Sequence, residues 1–187
     1  MNKNINIKDY FKVDDSHSRV RGFVVMRKEN GDIVFAKENM IVKTGRTAIF
    51  NAVTSGTDIS FTKIVYGSGS QLPVEGDTAL KNAISAYSTD LTSTSTINKI
   101  YDANDDLDAV LTADANGMVQ TNVMETSASN LYIRFCSTIT GTAVNTSAYI
   151  RELGIICGTD TLFSRIVFEG IPISSSTTYY LTYYIYF

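Results

Sequence analysis

Apolar and polar positions alternate over short stretches along most of the chain, and this period of two is typical of half-buried β-strands. From position 85 onward the strands are predicted over seven segments: 95–102, 107–113, 118–126, 131–139, 149–157, 161–168 and 178–187. Pairs of turn-forming residues such as Asn116-Gly117 separate them. Short strands at this regular spacing predict a mainly β fold, an antiparallel β-sandwich or jelly-roll-like domain.

One segment, "KTGRTAIFNAVTSG", departs from the period of two. Its apolar residues recur at helical spacing: Ala48, Ile49, Ala52 and Val53. Gly56 follows where a helix would end, so a short helix is predicted near 44–54. Asp77 stands at an N-cap position before "TALKNAI", which makes a second short helix near 77–83 a further candidate.

An early hairpin is predicted in "RVRGFVVMRKENGDIVFAKEN", because Asn-Gly is the strongest signal for a two-residue type I′ turn. That register places Met26 opposite Phe35 and Val24 opposite Lys37. It also places Glu29 opposite Asp32, an unfavourable like-charged pair.

A second hairpin is predicted around Gly158-Thr159, with glycine first in a two-residue type II′ turn. Its register places Glu152 directly opposite Arg165, so a cross-strand ion pair is expected among apolar neighbours. Both faces of this hairpin carry large apolar residues, which predicts that both are covered, by a second sheet and by another element or a neighbouring subunit.

The final segment, "TTYYLTYYIYF", puts tyrosines on both faces of one strand. Tyr179, Leu181, Tyr183, Ile185 and Phe187 share the face expected in the core. The other face holds Tyr180, Tyr184 and Tyr186, which are predicted either to line the rim of the domain or to lie in a subunit interface.

Composition and charge exclude several classes of protein. The chain has 187 residues, of which 44% are hydrophobic, and a net charge of −3. This charge offers no basic field for nucleic acid, no apolar run is long enough to span a membrane, and the start of the chain lacks a secretory signal. The interpretation is a single domain over 19–187 that is preceded by a polar arm over 1–18.

Catalytic, cofactor-binding and metal-binding residues are not identified. The one histidine, His17, lies in the arm beside Asp15 and Ser16, and adjacency in sequence is not triad geometry. Cys136 and Cys157 are expected to be buried thiols, without zinc-ligand spacing. The acidic turn over 102–108 lacks the glycine and glutamate of a calcium loop, although an irregular cation site there stays open.

The closely spaced glycines of "YGSGSQLPVEGDTAL" suggest comparison of this stretch with phosphate-binding motifs. The stretch does not match them, because position 72 is leucine where a dinucleotide fingerprint needs glycine, and no Gly-Lys pair follows. Gly67 and Gly69 are instead predicted to let the chain leave a strand with positive φ or with a close backbone contact.

The order of these features resembles that of bacteriophage virion proteins from tail, baseplate, fibre and collar modules. The resemblance rests on five segments: "NMIVKTGRTAIFNAV" (39–53), "FTKIVYGSGSQLPVEGDTALKNAI" (61–84), "IRELGII" (150–156), "TLFSRIVFEGI" (161–171) and "YYLTYYIYF" (179–187). It covers most of 39–187 and includes no catalytic set.

This resemblance implies a non-enzymatic structural subunit of a virion, assembled in the host cytoplasm. It implies cyclic homo-oligomers that contact other virion proteins. No cofactor is expected, and the charge and the apolar pattern argue against nucleic acid or a membrane as partner. The arm over 1–18 would then reach a neighbouring protein. The alternative is a module that binds carbohydrate or a host receptor, such as a surface glycan, at a fibre or head decoration.

Overall fold

The computed structural model describes residues 20–91, 100–101, 107–108, 123–127, 132–140, 149–173 and 178–186. The described elements, in chain order, are one helix and eleven strands: β1 (Arg21–Lys28), β2 (Ile33–Ile41), α1 (Lys43–Ser55), β3 (Phe61–Gly67), β4 (Ala83–Asp90), β5 (Ile100–Tyr101), β6 (Leu107–Asp108), β7 (Val123–Ser127), β8 (Tyr132–Thr140), β9 (Tyr149–Cys157), β10 (Thr161–Pro172) and β11 (Thr178–Tyr186). His17, the arm and the turn at 102–106 lie outside the described residues, as do parts of the strands predicted between 95 and 126.

Nine strands form one antiparallel sheet in the order β4-β3-β9-β10-β2-β1-β11-β8-β7, while β5 and β6 pair separately. Strand β2 joins two halves of this sheet, since its residues 33–39 pair with β1 and its end, Met40 and Ile41, pairs with β10. The mainly β, antiparallel class is confirmed, whereas the sandwich or jelly-roll topology stays a prediction.

Contacts between the two halves place one core between them. The ring of Phe61 on β3 meets that of Phe135 on β8 edge to face, with centroids 5.1 Å apart. Two hydrogen bonds between hydroxyl groups also cross the core, Tyr66 with Ser137 at 3.0 Å and Ser164 with Tyr183 at 2.6 Å. These bonds satisfy polar groups that burial would otherwise leave unpaired.

The alternation predicted for the last strand is confirmed on its core-facing side. Tyr179, Leu181, Tyr183 and Ile185 are buried in the main core cluster. On the opposite face, Tyr184 is buried beside Phe23 and Val25.

The outer face of β9 and β10 is covered by the chain itself. Val42, Ile156 and Leu162 form a second buried cluster there, against which Val65 and Leu80 pack. Val42, which precedes α1, and Leu80 of the segment between β3 and β4 therefore supply part of the covering layer that the sequence left open between this chain and a neighbour.

The predicted first helix is confirmed, and it ends at Gly56 in the left-handed conformation (φ 65°). Val53 does not belong to its buried face, because it is 81% exposed. The second predicted helix near 77–83 is wrong: these residues are irregular until β4 begins at Ala83.

The first hairpin keeps its predicted register away from the turn, with Val24 opposite Lys37 and Met26 opposite Phe35. The register then shifts by one residue between Met26 and Arg27. The backbone N–H of Lys28 donates to the carbonyl of Asp32, so the loop has three residues and the predicted Glu29–Asp32 pairing is wrong. The longer loop sets Asp32 against a lysine, which removes the like-charged pair.

Candidate functional site: a buried ion network beneath a surface loop

Glu152 on β9 has no exposed surface. Its carboxylate accepts hydrogen bonds from backbone N–H groups of the loop over residues 68–82. One carboxylate oxygen, Oε1, accepts hydrogen bonds from the N–H groups of Gly69 (3.1 Å) and Asn82 (2.7 Å). The other, Oε2, accepts one from the N–H of Lys81 at 3.1 Å. The side chain therefore binds both ends of the loop at once.

Arg165 on β10 is equally buried and lies between two carboxylates. Its Nε and Nη2 donate to Oε2 of Glu152, at 2.9 and 2.6 Å, and its Nη1 donates to Oδ2 of Asp77 at 2.9 Å. Nη2 also donates to the carbonyl of Gln71 at 2.9 Å. A planar guanidinium suits this role, because its fixed donors reach several acceptors from one position.

Asp77 completes the network from the middle of the loop. It is 2% exposed, accepts a hydrogen bond from the N–H of Val74 (3.0 Å), and forms an ion pair with Lys81 at 2.6 Å. Its side chain therefore caps a turn within the loop and not a helix. The N–H groups that a helix over 77–83 would need are bonded to Glu152 instead, which explains why that helix does not form.

Both buried carboxyl groups stay ionised because their hydrogen-bond donors outweigh the cost of burial. Burial alone would raise the pKa of Glu152, but the N–H of Asn82 and the Arg165 guanidinium hold that pKa below its ordinary value. Burial likewise opposes the charge on Asp77, and Lys81, the N–H of Val74 and Arg165 together lower the pKa of that group.

The two glycines of the GSGS stretch are required by the position of Glu152. A Cβ atom on Gly67 or on Gly69 would lie 2.5 Å from Oε1 of Glu152, closer than real side chains come. The sequence predicted either positive φ or a close contact at these positions, and the structure shows the close contact. The loop surrounds a carboxylate of its own chain, an arrangement that would repel a phosphate.

The register of β9 and β10 differs from the predicted one. Glu152 pairs with Val167 and Arg165 pairs with Gly154, so the two charged residues are diagonal neighbours on one face and not directly opposite. The connection holds three residues, 158–160, and a bulge at Phe163 shifts the register again. The ion pair forms all the same, because diagonal neighbours are within reach of long side chains.

The "TGR" motif at the start of α1 docks the helix onto the bulge in β10. The hydroxyl of Thr44 donates to the carbonyl of Leu162, and the N–H of Val42 donates to that of Phe163 at 3.1 Å. A Cβ atom on Gly45 would lie 2.1 Å from the same Phe163 oxygen. The motif therefore permits a close approach of helix and strand.

Arg46 connects α1 to the 68–82 loop. Its guanidinium pairs with the carboxylate of Glu75 and donates to the carbonyl of Ile41 at 3.3 Å. The N–H of Lys43 donates to the carbonyl of Glu75 at 2.8 Å. The loop is thus attached to the sheet through Glu152 and Arg165 and to the helix through Glu75.

Large apolar side chains remain exposed on this loop and on α1. Leu72 is 73% exposed and Val74 55%, while Phe50 is 65% and Val53 81% exposed. Beside α1 lies a groove of about 660 Å³, which Arg46 helps to line together with six apolar residues: Val20, Met40, Ile41, Ile49, Phe50 and Val53. Clustered apolar exposure of this kind marks an interaction surface more often than scattered residues do.

A second cavity, of about 450 Å³, lies on the other side of α1. Hydroxyl, amide and carboxylate groups line it, among them those of Thr47, Asn51, Asp58 and Ser60. Cys157 also reaches it, with a buried thiol whose pKa is raised by burial. A thiol in that state is inert as a nucleophile.

The remaining predicted positions contribute differently. Tyr184 is 2% exposed, and its ring stacks on that of Tyr186 with centroids 5.8 Å apart. Tyr180 and Tyr186 are half-buried, and a role for them in a subunit interface stays a prediction. The side chain of Cys136 lies outside the described part of the chain.

Sequence reasoning missed the roles of Asp77 and Arg46. Asp77 resembled a helix cap, and no local pattern shows that an aspartate will meet an arginine 88 positions later. Within the residues that the structure describes, no group of three or more His, Cys, Asp and Glu side chains is arranged to hold a metal. Among the same residues, no helix is long and apolar enough to cross a membrane.

Comparison with protein-family models, with curated proteins and with solved structures finds no match to this chain.

Proposed function

We propose that this protein is a non-enzymatic structural subunit of a bacteriophage virion, in a tail, baseplate, fibre or collar. It assembles in symmetric copies and contacts other virion proteins within particles formed in the host cytoplasm.

One observation carries the proposal: four of the five segments on which the resemblance rests meet at one place in the fold. Thr44 and Gly45 of the first segment contact β10. The N–H of Gly69 in the second segment donates to Glu152 of the third. Arg165 of the fourth segment donates to the same carboxylate. Residues that are far apart in sequence therefore act as one structural unit. A motif set of this kind is what a shared structural module would retain, since its roles are in packing.

Mass spectrometry of purified particles, from cells that carry the gene, tests the assignment. We expect the chain in the particle fraction at a fixed ratio to other virion proteins, and light scattering of the purified protein should show a discrete oligomer. Absence of the chain from every particle fraction, with a strict monomer at high concentration, would contradict the proposal.

A second candidate function, binding of a surface glycan, is favoured by the second cavity beside α1, whose lining includes hydroxyl, amide and carboxylate groups. Asn51 and Asp58 offer amide and carboxylate groups of the kind that bind hydroxyls, and the volume suits a small ligand. Glycan-array binding that is lost in Asp58→Ala and kept in Asp160→Ala would support this function, because Asp160 is an exposed carboxylate outside the cavity lining.

A further inference from the structure

We infer that the exposed apolar surface of α1 and the 68–82 loop is a twofold contact with a second copy of this chain. The inference rests on the proposed function, because it names the surface through which symmetric copies meet. We call Leu72 and Val74 the ridge, and the space beside Met40, Phe50 and Val53 the groove.

The ridge is held in place before any partner arrives. Leu72 follows Gln71, whose carbonyl accepts from Arg165, and the N–H of Val74 donates to Asp77. Both anchors are fully buried side chains. A preorganised apolar projection loses little conformational entropy on binding, which favours its use as an anchor.

The groove has a volume suited to such side chains. Its space of about 660 Å³ is within the range of sites that enclose a small ligand, and its lining is apolar except for Arg46. Phe50 and Val53, three residues apart on α1, present the exposed face of the helix beside it. These features favour an apolar occupant such as the ridge.

The ridge and the groove are connected through one ion pair. Glu75, which follows Val74, pairs with Arg46, and Arg46 lines the groove. A twofold contact places the same patch of both copies together, so each ridge meets the other copy's groove. Arg46 and Glu75 pair within one copy but stay about half exposed or more, so they can exchange partners across a twofold axis, with Arg46 of each copy near Glu75 of the other.

Light scattering over a concentration series tests the apolar part of the contact. We expect Phe50→Ser and Leu72→Ser each to raise the dimer dissociation constant by about tenfold or more. Tyr149→Ser is the matched control, since Tyr149 is 48% exposed but lies outside the patch, and it should leave the constant unchanged. Circular dichroism should show the same fold in all three variants.

A charge exchange tests the symmetry. Arg46→Glu and Glu75→Arg each place like charges across a twofold axis, so each variant alone should associate several-fold more weakly, about three- to tenfold. An equal mixture restores opposite charges at both cross-contacts and should recover dimers of one copy of each. Both variants lose the internal Arg46–Glu75 pair, so recovery on mixing reports only the contact between copies.

The outcomes separate this inference from the proposed function. Association that is unchanged by Phe50→Ser and Leu72→Ser, or no recovery on mixing, overturns the twofold patch while particle mass spectrometry still supports the virion role. A monomeric wild type that binds another particle protein through Phe50 also overturns it, because the occupant is then not a second copy. A dimer lost on patch substitution in a chain absent from particles supports the contact and contradicts the virion role.

Discussion

Arg165 determines how the surface loop is attached, since one guanidinium binds Glu152, Asp77 and the carbonyl of Gln71. All three charged side chains are excluded from water. Burying these three charges costs desolvation free energy. Their mutual attraction and hydrogen bonds offset that cost only when all three side chains are present. The arrangement therefore serves to specify one position of the loop more than to add stability.

We expect Arg165→Met to lower the free energy of unfolding by about 3–5 kcal/mol, because it leaves two buried carboxylates without their shared cation. Urea denaturation measures the loss. Lys63→Met is the control, since Lys63 forms a partly exposed pair with Asp160 at 3.2 Å and should change stability by less than about 1 kcal/mol. Equal effects of the two substitutions would contradict the role given to Arg165.

Gly69→Ala should destabilise the protein by about 1–3 kcal/mol, because the added methyl group overlaps the Glu152 carboxylate. Gly76→Ala is the matched control in the same loop, since nothing lies within 4 Å of a Cβ atom there. We expect that variant to stay within about 1 kcal/mol of the wild type. Thermal unfolding of the two glycine variants measures the difference in stability. A neutral Gly69→Ala would show that the loop does not pack against the Glu152 carboxylate.

At the scale of elements, helix α1 is fixed by its first turn and by one side only. Gly45 is buried against Phe163, and Ala48 and Ile49 pack against the core, whereas Phe50 and Val53 face solvent. Helix α1 thus packs against β10 on one side and exposes apolar side chains on the other.

The substitution Gly45→Ala has two opposing effects on stability: a gain in intrinsic helix propensity and a loss from overlap with a neighbouring strand. Propensity alone predicts a gain of about 0.5–1 kcal/mol for this change within a helix. The added Cβ atom would overlap the backbone carbonyl of Phe163, which cannot move aside as a flexible side chain could. We therefore expect a net loss of about 1–3 kcal/mol in the free energy of unfolding. Asn51→Ala, at an exposed helix position, should instead be neutral or slightly stabilising. A stabilised Gly45→Ala variant would mean that α1 does not dock where the structure places it.

The elements show which features the sequence predicts and which it does not. Helix α1, the core face of β11 and the strands from β8 onward follow from local periodicity and were predictable, whereas β4 was not among the predicted strands. The register of the first hairpin was not predictable near its turn, because a loop of three residues replaced a loop of two. The register of the second was not predictable along the strands, because a three-residue loop and a bulge at Phe163 both shift it. Burial and charge settle such choices: Asp32 avoids Glu29, and the bulge at Phe163 frees a carbonyl for Val42. The first reason was visible in the sequence as a like-charged pair, whereas the second depends on a contact between Val42 and Phe163 that a local pattern does not contain.

The candidate site was predictable only in part for the same reason. Glu152 and Arg165 were expected to meet because two neighbouring strands carry opposite charges among apolar residues. Asp77 joins them from a loop separated by 88 positions from Arg165, and only the closed fold brings that contact about. The glycines were expected to permit a close approach, but the group approached, a carboxylate, came from a distant strand.

At the scale of the whole molecule, one covering layer depends on two ionised carboxyl groups. The 68–82 loop supplies Leu80 to the buried cluster over β9 and β10, and Glu152 and Asp77 hold that loop in place. Because the pKa of each group is lowered in the folded protein, their contribution to stability is complete above their ordinary pKa values and is lost as the pH falls through the lowered ones.

We therefore expect stability to be nearly constant from neutral pH down to about pH 5 and to fall steeply below about pH 4, as these carboxylates take up protons. Urea midpoints measured between pH 7 and pH 3 follow the loss. Glu152→Gln and Asp77→Asn should each lower stability at pH 7 and flatten the dependence in acid, because one of the two titrating groups is gone. Asp160→Asn, which removes an exposed carboxylate, should keep the steep fall. If the two buried variants retained the wild-type slope, the acid sensitivity would arise elsewhere, and the loop would not be the part of the molecule that protonation releases first.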